Sequence, residues 1–187
     1  MTTFQQGSLV WVNNKMQPNY TYELAAPMGE KTQFFSPLLT PKEMLAAGVF
    51  NGHYMTDCRA EYPADWFENA KFWPIPDKSV NFFGAKSGDS LAYWRARGWI
   101  YKDDPRGWFE WYCRYYLGRR CVDDIRQMSR WRLFAPRHAG MLMKFGEGDK
   151  RKRAATRQSL LHWAHDPLPD VPFREGETVY QKMLRCV

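Results

Sequence analysis

The chain has 187 residues, a formal net charge of +7 and 17% aromatic side chains. That length suits one domain with a sizeable core, and no apolar run approaches the roughly 18 residues that cross a bilayer. Cys58, Cys113, Cys121 and Cys186 form no CxxC pair, and with the four histidines they show no zinc spacing, so no metal and no cofactor is expected. With no secretory apolar segment at the N-terminus, the expectation is a protein that makes no integral membrane contact and is not secreted, with reduced thiols in a cytoplasmic or nuclear-type compartment.

In chain order, residues 1–40 are rich in Gln, Asn, Thr and Pro and read as an N-terminal arm or irregular layer, with one short strand at Ser8 to Val12. Thr40, Pro41 and Glu43 predict a helix start with a capping box, stopped by Gly48. A short helix is expected from Pro63 to Ala70, and another from Ser90 to Arg97, closed by Gly98. Asp104 as cap and Pro105 at the first helical position predict a helix that ends at Gly118. Asp123 and Asp124 suit the start of the next helix, which Pro136 should kink or end, with helical spacing resuming from Arg137 to Phe145. A last helix is expected from Thr156 to His165, and Thr178-Val179-Tyr180 is strand-like. The expected fold is therefore mainly α: a helical core domain over 41–166, irregular arms at both ends (the C-terminal one 167–187), and at most a few short strands.

Charge is concentrated in one third of the chain. Residues 105–165 hold fourteen Lys/Arg against five Asp/Glu, an excess of nine, whereas the segments before and after are each at −1. Such a concentration attracts polyanions and makes their binding salt-dependent. The block from Pro105 to Arg120 combines six aromatic rings with four arginines. Arg106, Glu110 and Arg114 form one stripe at four-residue spacing, either a solvated or inter-helix stripe of a core helix or, with Arg119 and Arg120, part of a platform that stacks bases and holds phosphates. Arg126, Arg130 and Arg137 share one face if the helix survives Pro136, with Ile125, Met128, Trp131 and Ala135 leaning the other way. Lys150, Arg151, Lys152, Arg153 and Arg157 extend the basic set. Nucleic acid, DNA ahead of RNA, is the expected partner, and an oligomer or larger assembly is a further expectation.

One cluster has residue types suited to chemistry: His53, Asp57 and Glu61, with Cys58 and Arg59 between them. Carboxylates four apart on a helix would raise one pKa and could act as an acid/base pair; structural ion pairing with arginine is the alternative. Cys58 as a nucleophile would need His53 as its base. Under this reading the protein is a DNA base-modifying or base-excising enzyme; a third reading is a structural subunit of a larger assembly.

The stretches Leu39 to Met44, Tyr54 to Arg59, Gly98 to Ile100, Asp104 to Arg120 and Arg157 to Ala164 together resemble a family of small uncharacterised proteins. The likeness spans roughly Leu39 to Pro167, and the central block DPRGWFxWYCRYYxGRR is its most specific part. The resemblance implies no activity and carries no catalytic residue across.

Overall fold

The computed structural model describes residues 4–186; residues 1–3 and 187 of the expected terminal arms lie outside the described residues. The protein is mainly α, with six α-helices and one two-stranded sheet among the described residues.

Strand β1 (Leu9–Asn14) pairs antiparallel with β2 (Gln17–Glu23). Val10 and Val12 point to the core while Leu9 and Trp11 face solvent, the alternation a half-buried strand requires. The Asn14 side chain accepts from the N–H groups of Met16 and Gln17 at 3.0 and 3.1 Å and so closes the turn. Only β1 is predicted by pattern; β2, with Pro18 and Asn19 in its first half, carries no apolar alternation.

Residues 4–40 form a layer of the core, not a free arm. Phe35 is fully buried and meets Trp111, Tyr112, Tyr115 and Trp131 edge-on, with ring centroids 4.9 to 5.8 Å apart, a geometry that aromatic quadrupoles favour. Leu24 and Leu39 are buried beside it in the same core.

Helix α1 (Pro41–Ala47) starts at Thr40 with both halves of its capping box made. The stretch expected as a helix near Pro63 is a single 3₁₀ turn, Ala64–Phe67. Ser90 caps α2 (Leu91–Ala96) through the Tyr93 N–H. The central helix α3 (Trp108–Leu117) is buried at every position except Tyr116. It begins later than the sequence suggests: its N-cap is Gly107 at φ +85°, and Asp104 turns inward to two arginines. Gly118 ends it as expected, at φ +120°, and a Cβ there would collide with the Ala26 carbonyl.

Helix α4 (Asp124–Phe145) runs 22 residues with Pro136 inside it, so Pro136 does not end the helix. It packs along α5 (Ala154–His162), and only Asp124, Gln127 and Leu142 of its residues are buried. At the C-terminus the expected strand is instead the start of α6 (Val179–Arg185), because Thr178 and Gln181 complete a second capping box. Val179 and Met183 of α6 enter the core, so this tail too is packed.

Candidate functional site

The arginines that the sequence suggests for phosphate binding divide into two groups. Arg106, Arg114, Arg119 and Arg157 are at most 2% exposed. They are not surface cations. Arg114 donates side-on to Glu61, Nε to Oε1 at 2.6 Å and Nη2 to Oε2 at 3.1 Å, and its Nη1 reaches Asp104 at 3.1 Å. Gln17 Oε1 and the Asp103 carbonyl take further donors of the same group. Arg106 pairs with Glu110 at 3.0 Å and gives Nη2 to both oxygens of Asp57 at 2.9 and 3.0 Å. Arg119 binds the other oxygen of Asp104 at 2.6 Å. Three guanidiniums thus meet four carboxylates, which leaves none of the three for a phosphate. Burial pushes the carboxyls of Asp104 and Glu110 up, and the guanidiniums beside them pull back the other way.

Arg157 is closed off in the same manner: both terminal nitrogens hold Asp170 at 2.7 Å, and the carbonyls of Lys152, Asp149 and Pro167 take its other donors. Arg120 is half-buried over the Tyr115 ring and held by Glu30 at 2.6 Å. The rings of α3 other than Tyr116 are buried as well, so the block from Pro105 to Arg120 packs as core, with Trp108 and Phe109 at the border of a cavity, and is not an open base-stacking platform.

The acid/base expectation for Asp57 and Glu61 gives way to ion pairing. Glu61 is 3% exposed, between Arg114 and the Tyr22 hydroxyl, and the two residues share no α-helix. Cys58 is buried against Met55, and burial pushes its thiol up to about 12, which suits no nucleophile. His53 is exposed and its Nδ1 meets the Trp73 carbonyl at 3.1 Å.

The second group of cations lies on α4 and the turn after it. Arg126, Arg130, Arg137 and Lys144 fall within about 40° of one another around the helix at 3.6 residues per turn. Arg126 is tied to Asp123 at 2.6 and 2.7 Å, whereas Arg130, Arg137 and Lys144 pair with no carboxylate among the described residues. In the turn, Arg151 holds Asp149 and Lys152 holds Glu147, while Lys150 and Arg153 have no carboxylate among the described residues. Leu133, 78% exposed, lies within this row, seven residues from Arg126, and Ile125, 80% exposed, lies on the adjoining side. Sequence pattern places Ile125 inside; the helix turns it to solvent because Gln127 and Leu142 take the inward face.

Beside this row lie two adjoining cavities that the sequence does not predict. The first, of about 230 Å³, is walled by Trp94, Trp99, Trp108, Phe134, His138 and Trp163, with Arg130 at its edge. The second, of about 680 Å³, has Lys15, His53, Asp57, Lys86 and Arg106 among its lining residues. Phe50, Tyr54, Ser87, Gly88, Asp89 and Trp94 belong to both. A signal for part of this exists in the sequence: Arg130, Phe134 and His138 follow at i, i+4 and i+8, one edge of α4.

His162 borders the first cavity and is held neutral. Its Nε2 lies 3.0 Å from the Phe50 N–H and from the Gln158 amide nitrogen, and burial pushes its pKa down to about 3. Burial likewise lowers His165 to about 4, although the Trp131 carbonyl opposes the shift. The unfolded chain protonates both near 6.5, so below that pH it binds protons that the folded chain does not. Stability is therefore complete above pH 6.5 and falls as the pH drops toward 4, by about 1.4 kcal/mol per pH unit for each histidine. Urea unfolding between pH 7 and 5, above the carboxylate range, checks this; a flat profile would contradict it.

No helix among the described residues is long and apolar enough to cross a membrane. No family model, curated protein or solved structure matches the chain.

Proposed function

We propose that the protein binds nucleic acid, DNA ahead of RNA, along the cationic row of α4 and the turn 147–153 that follows it. The observation that carries this reading is the row itself: Arg130, Arg137 and Lys144 stand on one edge of a long helix without a carboxylate partner among the described residues. Lys150 and Arg153 continue it. A helix face that serves only solvation normally mixes signs, and a row of one sign raises the local concentration of phosphates.

The test is the combined variant Arg137→Ala, Lys144→Ala, Arg153→Ala. All three residues are exposed, so each change costs about 0.5 kcal/mol of stability or less. Duplex DNA affinity should fall, and the slope of log affinity against log salt should shrink by about 0.9 for each phosphate contact removed. Unchanged affinity and slope would refute the interface.

A second reading, a subunit of a larger assembly, is favoured by apolar side chains left open on α4: Ile125 and Met143, on one face, are 80% and 63% exposed, and Leu133, within the cationic row, is 78% exposed. Sedimentation across a concentration series separates it: a monomer at every concentration removes self-assembly.

A further inference from the structure

We propose that the ring-walled cavity beside α4 is a binding site for a single nucleobase, with its phosphate in the adjoining larger cavity. The identity of the ligand rests on the nucleic-acid reading above; the site itself rests on its own geometry.

The wall is built from parallel rings. Phe134 stacks on His138 at 4.0 Å and 11°, and on Trp163 at 4.9 Å and 17°. Trp94 and Trp99 belong to the same wall and are not core residues: Trp99 is 43% exposed and Trp94 is partly so. Large rings that bound open space, when α3 has its own ring core, offer a planar ligand flat apolar faces. The volume of about 230 Å³ admits one heteroaromatic ring system and excludes a folded peptide segment.

The polar groups of this cavity include donors and one carboxylate, Asp89. The half-buried Arg130 guanidinium lies 5.4 Å from the Trp163 ring centroid, and its one protein acceptor is Gln127 Oε1 at 3.4 Å. The Phe50 N–H donates to His162 Nε2, so the ring carries its proton on Nδ1, for which no described residue supplies an acceptor. A ligand that suits this set is flat and presents carbonyl or ring-nitrogen acceptors, as the O6/N7 edge of guanine does to an arginine. A quaternary ammonium, which aromatic cages also accept, is disfavoured by Arg130 at the edge.

The adjoining cavity supplies charge for a phosphate. Lys15 and Lys86 line it and pair with no carboxylate among the described residues. Of its two carboxylates, Asp57 is paired with Arg106, and Asp89, which also borders the first cavity, pairs with no cation among the described residues. Base and phosphate sites thus meet at Phe50, Tyr54, Trp94 and the segment Ser87-Gly88-Asp89, which are common to both cavities.

Isothermal titration calorimetry with dGMP tests the site, with ribose 5-phosphate as a probe for phosphate alone. The expected result is saturable dGMP binding that Trp99→Leu weakens by about tenfold or more, with the melting temperature little changed because Trp99 is a surface residue. Should Trp99→Leu fail to fold, Ser159→Phe fills the cavity from α5 and should abolish dGMP binding. No dGMP binding at millimolar concentration, equal binding of ribose 5-phosphate, or dGMP affinity indifferent to both changes would overturn the proposal. Duplex DNA binding measured beside it separates the two readings: oligonucleotide affinity that persists while dGMP fails to bind sinks the base site and leaves the α4 interface standing.

Discussion

Replacing Arg114 by Met should cost about 3–5 kcal/mol of folding stability, a large part of the 5–15 kcal/mol typical of a domain. The change removes the cation that Glu61, Asp104 and Glu110 share, at 2.6, 3.1 and 3.4 Å, and every one of those carboxylates is at most 3% exposed. Met fills much of the space, so the loss comes from the uncompensated charge and not from a void. Arg114→Lys should recover only part of it, because an ammonium cannot donate side-on to Glu61 while reaching Gln17 and Asp104. Urea denaturation of the three proteins reads this directly. A loss under 1 kcal/mol for Arg114→Met would mean that the buried network is not what holds α3 in register.

Arg157→Ala should be similarly damaging, by about 3–5 kcal/mol, through a different part of the fold. Its guanidinium joins α5 to Asp170 in the C-terminal segment and to the carbonyls of Asp149 and Lys152 in the preceding turn. The variant should lose stability together with the ordering of that turn. Arg137→Ala is the matched control, since Arg137 is exposed and pairs with no carboxylate among the described residues. Equal melting temperatures for Arg157→Ala and Arg137→Ala would contradict the division of the arginines into structural and free.

That division explains what could be read from the sequence and what could not. Thr40 with Glu43, Ser90 and Gly118 act on their own neighbours within four residues, and each does in the structure what local chemistry predicts. The stripe of Arg106, Glu110 and Arg114 is likewise visible as spacing. Which way it faces is not, because Asp57 and Glu61 neutralise it from about fifty residues away. Asp104 looks like a cap for the same reason: its partners Arg114 and Arg119 follow it, but the turn at Gly107 decides that it points inward. Strand β2 lacks a pattern of its own and forms on the template of β1. The end of the chain was legible in principle, since Thr178 and Gln181 are spaced as a capping box, yet the short Thr-Val-Tyr run carries the stronger strand signal. The cavities needed the tertiary fold, because their walls come from α2, α3, α4 and α5 together.

The central claim is that the cations of α4 and the turn 147–153 that the core does not neutralise meet phosphates. The most direct measurement is the affinity for a mixed-sequence DNA duplex across a salt series from about 50 to 200 mM. Three to five free cations in contact predict a log-log slope of about −3 to −4.5. No binding at the lowest salt, or an affinity that does not change with salt, would contradict the account.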